Sequence, residues 1–495
     1  MRPLYSSIIA PTLAPLVAMR RRGMLVDTEE LERKREEAKK EHARASDEVL
    51  AVAAPRVPKI DGPEVEGCSE HPHPNRGEGV RKCERCAERR AAIREWKASP
   101  VVRRKLRLSN FNPVKPDHVR WLLGEELGLK WPAIGWTDTG IRSVRLLVLQ
   151  ELLELRSTPD AAVPLLRTLI SLAHVGQRLR TFLDPPIGVD GCAHPNSSLC
   201  GTSTLRIRSG AIREDVPIEE EDYNGQNIPK DVRSIYVARP GHVLLAADAA
   251  QIEWIMTMIA ARCGRAVEAY EREEDIHSQN LELLAPIFGW SWNDKAGWKA
   301  RRSVCKTFTH AEDYGEGDFN LARRMRIEQR LAAAGRAAYF AAWPEIPVWQ
   351  KGVEEEVLAR RELRTVFGFR RRFFDVTAKS SGGRRVLMLD SKQRKEALAT
   401  GPQSMNAVLH LVGIADLTAL GVGLYTVQHD EHVVEVREEE AERLTKEVKH
   451  TLEREVPEFE ALIGKATWRP RVEVSRGRNW GPKSEGNPGG MERVL

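Results

Sequence analysis

Two short stretches carry acids where a strand should end. In LLAADAAQIEW, residues 244–254, a continuous apolar run meets Asp248 and then turns helical, placing Glu253 five residues later. In LYTVQHDEHVVEV, residues 424–436, β-branched and aromatic residues flank a polar centre holding His429, Asp430 and Glu431, the pattern of a hairpin. Strand ends are rigid enough to fix a carboxylate, and two neighbouring ones could hold two acids over shared divalent ions. Ions about 3.5–4 Å apart activate an attacking hydroxyl and neutralise the leaving oxygen of an in-line phosphoryl transfer. Magnesium suits such a site because it prefers oxygen ligands. Taken singly, each acid reads more simply as a turn residue or a helix cap.

A third stretch, RRSVCKTFTHAEDYG at residues 301–315, repeats Arg302, Lys306, His310 and Tyr314 every four residues. Each step of four advances about 40° around a helix, so the four share one face. That stripe offers two cations to phosphates and then flat rings to a sugar or base; a solvated basic helix is the plainer reading. A fourth stretch, GCSEHPHPNRGEGVRKCERC at 67–86, supplies Cys68, His71, His73, Cys83 and Cys86. A C-x2-H pair followed by C-x2-C can close a tetrahedral zinc site around a loop too polar to build its own core. His71 is favoured over His73 because its spacing mirrors the second pair; the alternative is a loop with idle thiols. Cys192, Cys200, Cys263 and Cys305 are dispersed and read as packing residues.

The elements that must position these groups follow from local pattern. Asp27 stands as a helix cap before TEELERKREEAKKEHARASDEVLAVAA, which predicts a long charged helix ending near Pro55. Helical patterning resumes at CERCAERRAAIREW and runs with interruptions to about residue 183, so the first part of the chain is mostly helix. Short β-prone pieces follow from about 190, GHVLLAAD is a buried strand by its unbroken apolar run, and helices dominate from 251 to 362. The closing KSEGNPGGMERVL reads as a mobile tail.

At 495 residues, 41% apolar and 30% charged, the chain predicts a folded protein of two to four subdomains and excludes a disordered one. Its net charge of +6 hides clusters such as RRKLR at 103–107 and RRR at 370–372, which suit polyanions. PLYSSIIAPTLAPLVAM is interrupted by prolines and followed by its basic cluster, the wrong order for an export signal. Seven cysteines without such a signal point to a reducing compartment. The expected location is the cytoplasm.

Taken together, DAAQIE, RRSVCKTFTHAEDYG and QHDE resemble, in order and spacing, the first metal motif, the fingers helix and the second metal motif of family A (DNA polymerase I-like) DNA polymerases. FNPVKP, TSTLRIRS, GQNIP, EDIHS, RTVFGFRRR and VEVSRGRNW fall in order as well. The resemblance implies an α+β right-hand fold with an antiparallel palm sheet, helical fingers and a helical thumb. It implies a palm-associated segment at 1–28, a thumb at 29–189 with the zinc insertion at 55–92, palm at 190–265, fingers at 266–396, palm again at 397–482 and a flexible tail at 483–495. It further implies template-directed addition of deoxynucleotides to a primer 3′-hydroxyl by two-metal-ion chemistry, with primer–template DNA and dNTPs as partners.

By that likeness, Asp248 and Asp430 carry two Mg2+ ions, supported by Glu431. Gln251 and Glu253 line the nucleotide site, where Glu253 excludes a 2′-hydroxyl. Arg302, Lys306 and His277 hold the triphosphate, Lys306 also protonates the leaving pyrophosphate, and His310 and Tyr314 stack beyond. Arg206, Asn227, Gln403 and His429 touch the DNA at the primer end. Departures from the family pattern are Ala249, Ala250, His310, Ala311, Lys395 and Ala399, which bear on fidelity more than on the reaction. Met1 lies close to the start of the polymerase-like region, so a compact, phage-type enzyme without proofreading is expected, acting as a monomer, with any editing or accessory replication function in separate proteins. The rivals are a single-subunit RNA polymerase, opposed by Glu253 and GQNIP, and a silent scaffold for primer–template junctions, opposed by the two aspartates and the Arg302/Lys306 pair.

Overall fold

The computed structural model describes residues 4–58, 83–132, 141–155, 157–199, 201–209, 223–290, 295–325, 327–374, 376–381 and 384–495. Two compact units emerge: residues 32–184, and residues 1–31 together with 185–495. Among the described residues no helix is long and apolar enough to cross a membrane.

The unit of residues 32–184 is helical. Its long helix, Thr28–Ala53, starts where Asp27 Oδ1 accepts the backbone N–H groups of Glu29 and Glu30 at 3.1 and 2.9 Å. Along it the buried positions are Leu31, Ala38, Ala45, Val49 and Ala53, one stripe at helical spacing, while the charged remainder faces water. Helices Glu84–Ala98, Pro100–Ser109, Leu146–Glu154 and Val163–Gln177 follow. The core of this unit gathers Val49, Leu122, Leu123, Leu152 and Leu166.

The larger unit is organised by a five-stranded antiparallel sheet. Its strand order is Gly423–Gln428, Glu431–Arg437, His242–Ala249, Val472–Gly477 and Glu492–Arg493. The strand His242–Ala249 is central, and Val243 to Ala247 are all buried, which explains its unbroken apolar run. It passes through Gln251, in the left-handed region at φ 52°, into helix Ile252–Ala260, whose Ile252, Trp254, Ile255, Met256, Met258 and Ile259 are all buried. Apolar over most of its circumference, with Glu253 and Thr257 on the remaining side, such a helix belongs against a core.

Against that core lies the helix Ser391–Ala419, opened by a capping box between Asp390 and Gln393. It continues through Gly401 and Pro402, a dipeptide that by itself signals a break; burial of most of its length outweighs the lost backbone bond. The helix Lys295–Asp313 buries Cys305, Phe308 and Ala311 and leaves Lys306 exposed.

The closing residues, read from sequence as a mobile tail, are ordered. Glu492–Arg493 pairs with Ser475 and Arg476, and Val474 exchanges backbone hydrogen bonds with Val494 and Leu495. Asn479 and Asn487 bond each other side chain to side chain at 2.7 and 2.9 Å. The glycines and asparagines that suggested mobility instead make the turns that return the chain to its sheet.

The last turn of Lys295–Asp313 hangs on a buried polar network. Asp313 is fully buried, burial pushes its carboxyl well above the usual range, and the Tyr339 hydroxyl donates to its Oδ1 at 2.8 Å. Gln350 Nε2 donates to the carbonyls of Glu312 and Asp313 at 2.7 and 3.0 Å. Tyr339→Phe strands a buried oxygen, so the unfolding free energy should fall by about 1–3 kcal/mol, measured as a lower urea midpoint at unchanged m.

Candidate active site

The central strand ends in a row of acids. Asp248 lies opposite Glu431 on one neighbour and opposite Glu473 on the other. Residues directly opposite in an antiparallel pair share a face, with Cα atoms about 4.5–5.5 Å apart. Asp430, one residue before Glu431, occupies the hairpin turn beside His429, which is itself left-handed at φ 52°. Four carboxylates thus converge on one end of the sheet, and the two strand-end acids lie in each other's field.

The electrostatics follow from that crowding. Asp248 is pushed up to about 7, first by loss of hydration and then by the charges of Glu431, Asp430 and Glu473. Its side chain nonetheless stays open to water at the strand end, so the desolvation is that of a partly enclosed surface and not of a sealed core. Asp430 is raised by burial, partly offset by Asn406, whose Nδ2 donates to Oδ1 at 2.6 Å. Glu431 is raised by burial and pulled down by Arg233 and Trp480, whose Nη1 and Nε1 reach Oε2 at 3.3 and 3.2 Å. The Arg233 guanidinium lies 4.3 Å from the Trp480 ring centroid. Glu473 is paired with Arg493 at 2.8 Å. Glu431 and Glu473 are therefore tied to cations of the chain, leaving Asp248 and Asp430 as the acids with unmet charge. Hard oxygen donors crowded enough to resist ionisation fit a divalent cation such as Mg2+.

Beneath Asp430 lies a cavity of about 40 Å³ lined by Ala249, Asn406, His410 and His432, among others. The small side chain of Ala249 thus borders open space. The His410 and His432 rings are 4.1 Å apart, and burial drives His432 down to about 4 and His410 well below its usual range, so the pair adds no positive charge. A far larger hollow of about 810 Å³, lined mainly by apolar residues such as Trp349, Val353 and Leu363, lies away from the acids.

The remaining sequence-derived residues fall into three groups. Glu253, two residues past Gln251, accepts from the Tyr314 hydroxyl at 3.0 Å, and Arg206 Nη2 stands 3.9 Å from the same oxygen. Gln251 Nε2 donates to the Glu274 carbonyl at 3.2 Å. Arg302 is held by Asp275, while Lys306 on the next turn is exposed. His277 and His310, expected at the phosphates and the sugar, pack edge to face with centroids 5.8 Å apart. Burial drives His277 down to about 3 and lowers His310 as well, so both are neutral rings at working pH, and their ring nitrogens are buried without partners.

Arg206 and His429 line a hollow of about 30 Å³ with Asp430. Gln428 Nε2, just before that turn, donates to the Gln226 carbonyl at 2.7 Å and so ties the GQNIP segment to the hairpin. Asn227 is exposed on that segment, and Gln403 is half-buried one turn before Asn406. Of the zinc candidates, Cys83 caps Glu84–Ala98 and Cys86 is buried in its first turn, whereas Cys68 and His71 lie outside the described residues. Among the described residues no three potential ligands form a metal cluster.

Sequence reading missed Arg233, Asn406, Glu473 and Asp275. Glu473 and Asp275 lay within quoted stretches, but only the strand register and the helix cap reveal what each faces. The one available signal for Asn406 is its spacing of three from Gln403, which puts both on one side of helix Ser391–Ala419.

The raised Asp248 has a measurable cost. A carboxyl whose folded pKa exceeds its unfolded value binds its proton more tightly when folded, so stability falls as pH rises from about 4 to about 7. In metal-free buffer at pH 8, Asp248→Asn should raise Tm above wild type, and the gain should vanish near pH 4.

Comparison with known proteins agrees with this geometry. The chain matches the family model described as DNA polymerase family A over residues 89–482. It is 27% identical over 383 residues to "DNA polymerase I, thermostable" of Thermus thermophilus, covering 75% of this chain and 42% of that protein. It is 26% identical over 343 residues to "DNA polymerase I" of Pseudomonas aeruginosa, covering 68% and 35% respectively. The chain therefore spans well under half the length of these curated relatives. Among solved structures, the POL domain of Pol1 from M. smegmatis, in complex with DNA primer-template and dNTP, superposes with a TM-score of 0.69 at 19% identity, covering 96% of this chain and 70% of that one. With its acids at the end of an antiparallel sheet and most of its length matched by one model, the chain belongs to DNA polymerase family A.

Proposed function

We propose that this chain is a template-directed DNA polymerase that adds deoxynucleotides to a primer 3′-hydroxyl and releases pyrophosphate. The observation that carries the reading is the convergence of Asp248 and Asp430 at one sheet end, with Glu431 and Glu473 each paired to a cation of the chain. In this reading residues 29–189 are the thumb, 190–265 and 397–482 the palm, and 266–396 the fingers.

Asp248 and Asp430 would hold two Mg2+ ions, which when bound lower the pKa of the attacking hydroxyl and offset charge on the leaving oxygen. Arg302 and Lys306 bind the triphosphate from one helix face, and Lys306 Nζ supplies the proton to the departing pyrophosphate. Glu253, braced by Tyr314, closes the floor under the sugar and excludes a 2′-hydroxyl. His277 and His310 contribute as neutral rings. Arg206, Asn227, Gln403 and His429 follow the primer end in the minor groove, where acceptors common to all correct pairs allow shape to be checked without reading sequence. We also assign no editing activity to these 495 residues, a reading supported by the 96% of them that superpose on a polymerase domain.

Primer extension tests the reaction. With Mg2+ and dNTPs the wild type should lengthen a labelled primer, rNTPs should be poorly used, and Asp430→Ala should lose at least about a thousandfold in rate. Efficient rNTP use would favour an RNA polymerase; a primer bound but never extended would favour a scaffold. A structural zinc at Cys68, His71, Cys83 and Cys86 is a separate proposal, supported by Cys83 and Cys86 at the start of one helix. Elemental analysis of purified protein should find about one zinc per chain, lost in Cys83→Ser.

A further inference from the structure

The helix Ile276–Leu284 begins on Asp275, whose Oδ1 accepts the Ser278 backbone N–H at 3.3 Å and whose Oδ2 accepts the Ser278 hydroxyl at 2.7 Å. The same two oxygens also receive Arg302 from the helix Lys295–Asp313. Nη2 reaches Oδ1 at 2.6 Å, Nε reaches Oδ2 at 3.0 Å, and Nε is also 3.3 Å from Ser278 Oγ. Each carboxylate oxygen is thus occupied by two donors, one from its own helix cap and one from the guanidinium. Only one edge of the guanidinium is used, leaving Nη1 for another acceptor.

We propose that Asp275, with Ser278, is a positioning residue that holds the Arg302 guanidinium ready for the triphosphate of the incoming nucleotide. This rests on the polymerase reading above. A bidentate, charge-assisted pair fixes both the plane and the direction of the guanidinium. A long arginine side chain ordered in advance gives up its rotamer freedom before the nucleotide arrives, so less is lost on binding. The anchor is firm because Asp275 also caps its own helix. Burial alone would raise the Asp275 carboxyl, but the hydrogen bonds and charge of Arg302, with Ser278, hold it down at about 2, so the pair stays ionised throughout the neutral range. One turn along the same face Lys306 is exposed, so the two cations point toward one polyanion from a common helix.

The opposite role has the opposite sign. If the carboxylate instead competed with phosphate for Arg302, removing its charge would strengthen nucleotide binding. Single-nucleotide incorporation by the full chain decides between them. Asp275→Asn keeps a good helix cap and removes the charge. KM for dNTP should rise about tenfold, with kcat within about twofold and primer–template affinity, read by anisotropy, unchanged. Arg302→Ala should raise KM too, and adding Asp275→Asn to it should cost nothing more, because a positioning residue then has nothing left to position. Ser278→Ala, a milder change that keeps the carboxylate, should raise KM roughly two- to threefold and serves if Asp275→Asn lowers the Tm. A KM that is unchanged or falls, or penalties that multiply in the Arg302→Ala background, would overturn the proposal. A wild type that extends no primer overturns the polymerase reading instead.

Discussion

Carboxylates repel one another, and this sheet places them in a row. Asp248, Glu431 and Glu473 stand directly opposite across three neighbouring strands, with Asp430 in the adjoining turn. Like charges facing each other across a ladder destabilise it. An arrangement that costs stability persists in a fold when the surrounding structure over-determines it, and here the determinants are visible. The central strand is buried along most of its length, its following helix buries six apolar side chains, and two of the four acids are tied to Arg233 and Arg493. The unmet charge is thereby concentrated on two side chains.

Much of the molecule can be read as support for that concentration. Gln251 and His429 both take left-handed backbone near the acids, conformations uncommon for residues with a Cβ and common where a site redirects its chain. Asn406 holds one oxygen of Asp430, and Gln428 fastens the preceding segment to the turn. Farther along the chain, Tyr314 ties the end of helix Lys295–Asp313 to Glu253 on another helix, while Asp313 and Tyr339 secure that end from within. The rings of His277 and His310 are kept neutral by burial, so of the four residues in that stripe and its neighbour His277 only Arg302 and Lys306 carry positive charge.

The sequence made the periodic and self-contained elements legible. The run GHVLLAAD announces a buried strand, Asp27 a helix start, and the polar centre of LYTVQHDEHVVEV a hairpin, because each depends on contacts within a few residues. Asp248 and Asp430 were legible for the same reason, as acids interrupting apolar patterns. What stayed hidden depends on register or on distant partners. Glu473 faces Asp248 only once three strands are aligned, and Arg233 finds Glu431 from nearly two hundred residues away. The closing segment misled in the other direction. Its glycines and asparagines carry the composition of a loose end, yet their turns deliver Arg493 to Glu473, an outcome that local composition cannot encode. Gly401 and Pro402 likewise signal a break that the burial of helix Ser391–Ala419 overrides.

The ordered final strand also affects how the protein can be handled. Leu495 donates its backbone N–H to Val474, a residue on the strand beside the one that bears Asp248. A purification handle fused after Leu495 would therefore emerge from the edge of the acid-bearing sheet and not from a free-swinging leash. An oligohistidine placed there would bring metal-binding imidazoles to the neighbourhood of the carboxylates.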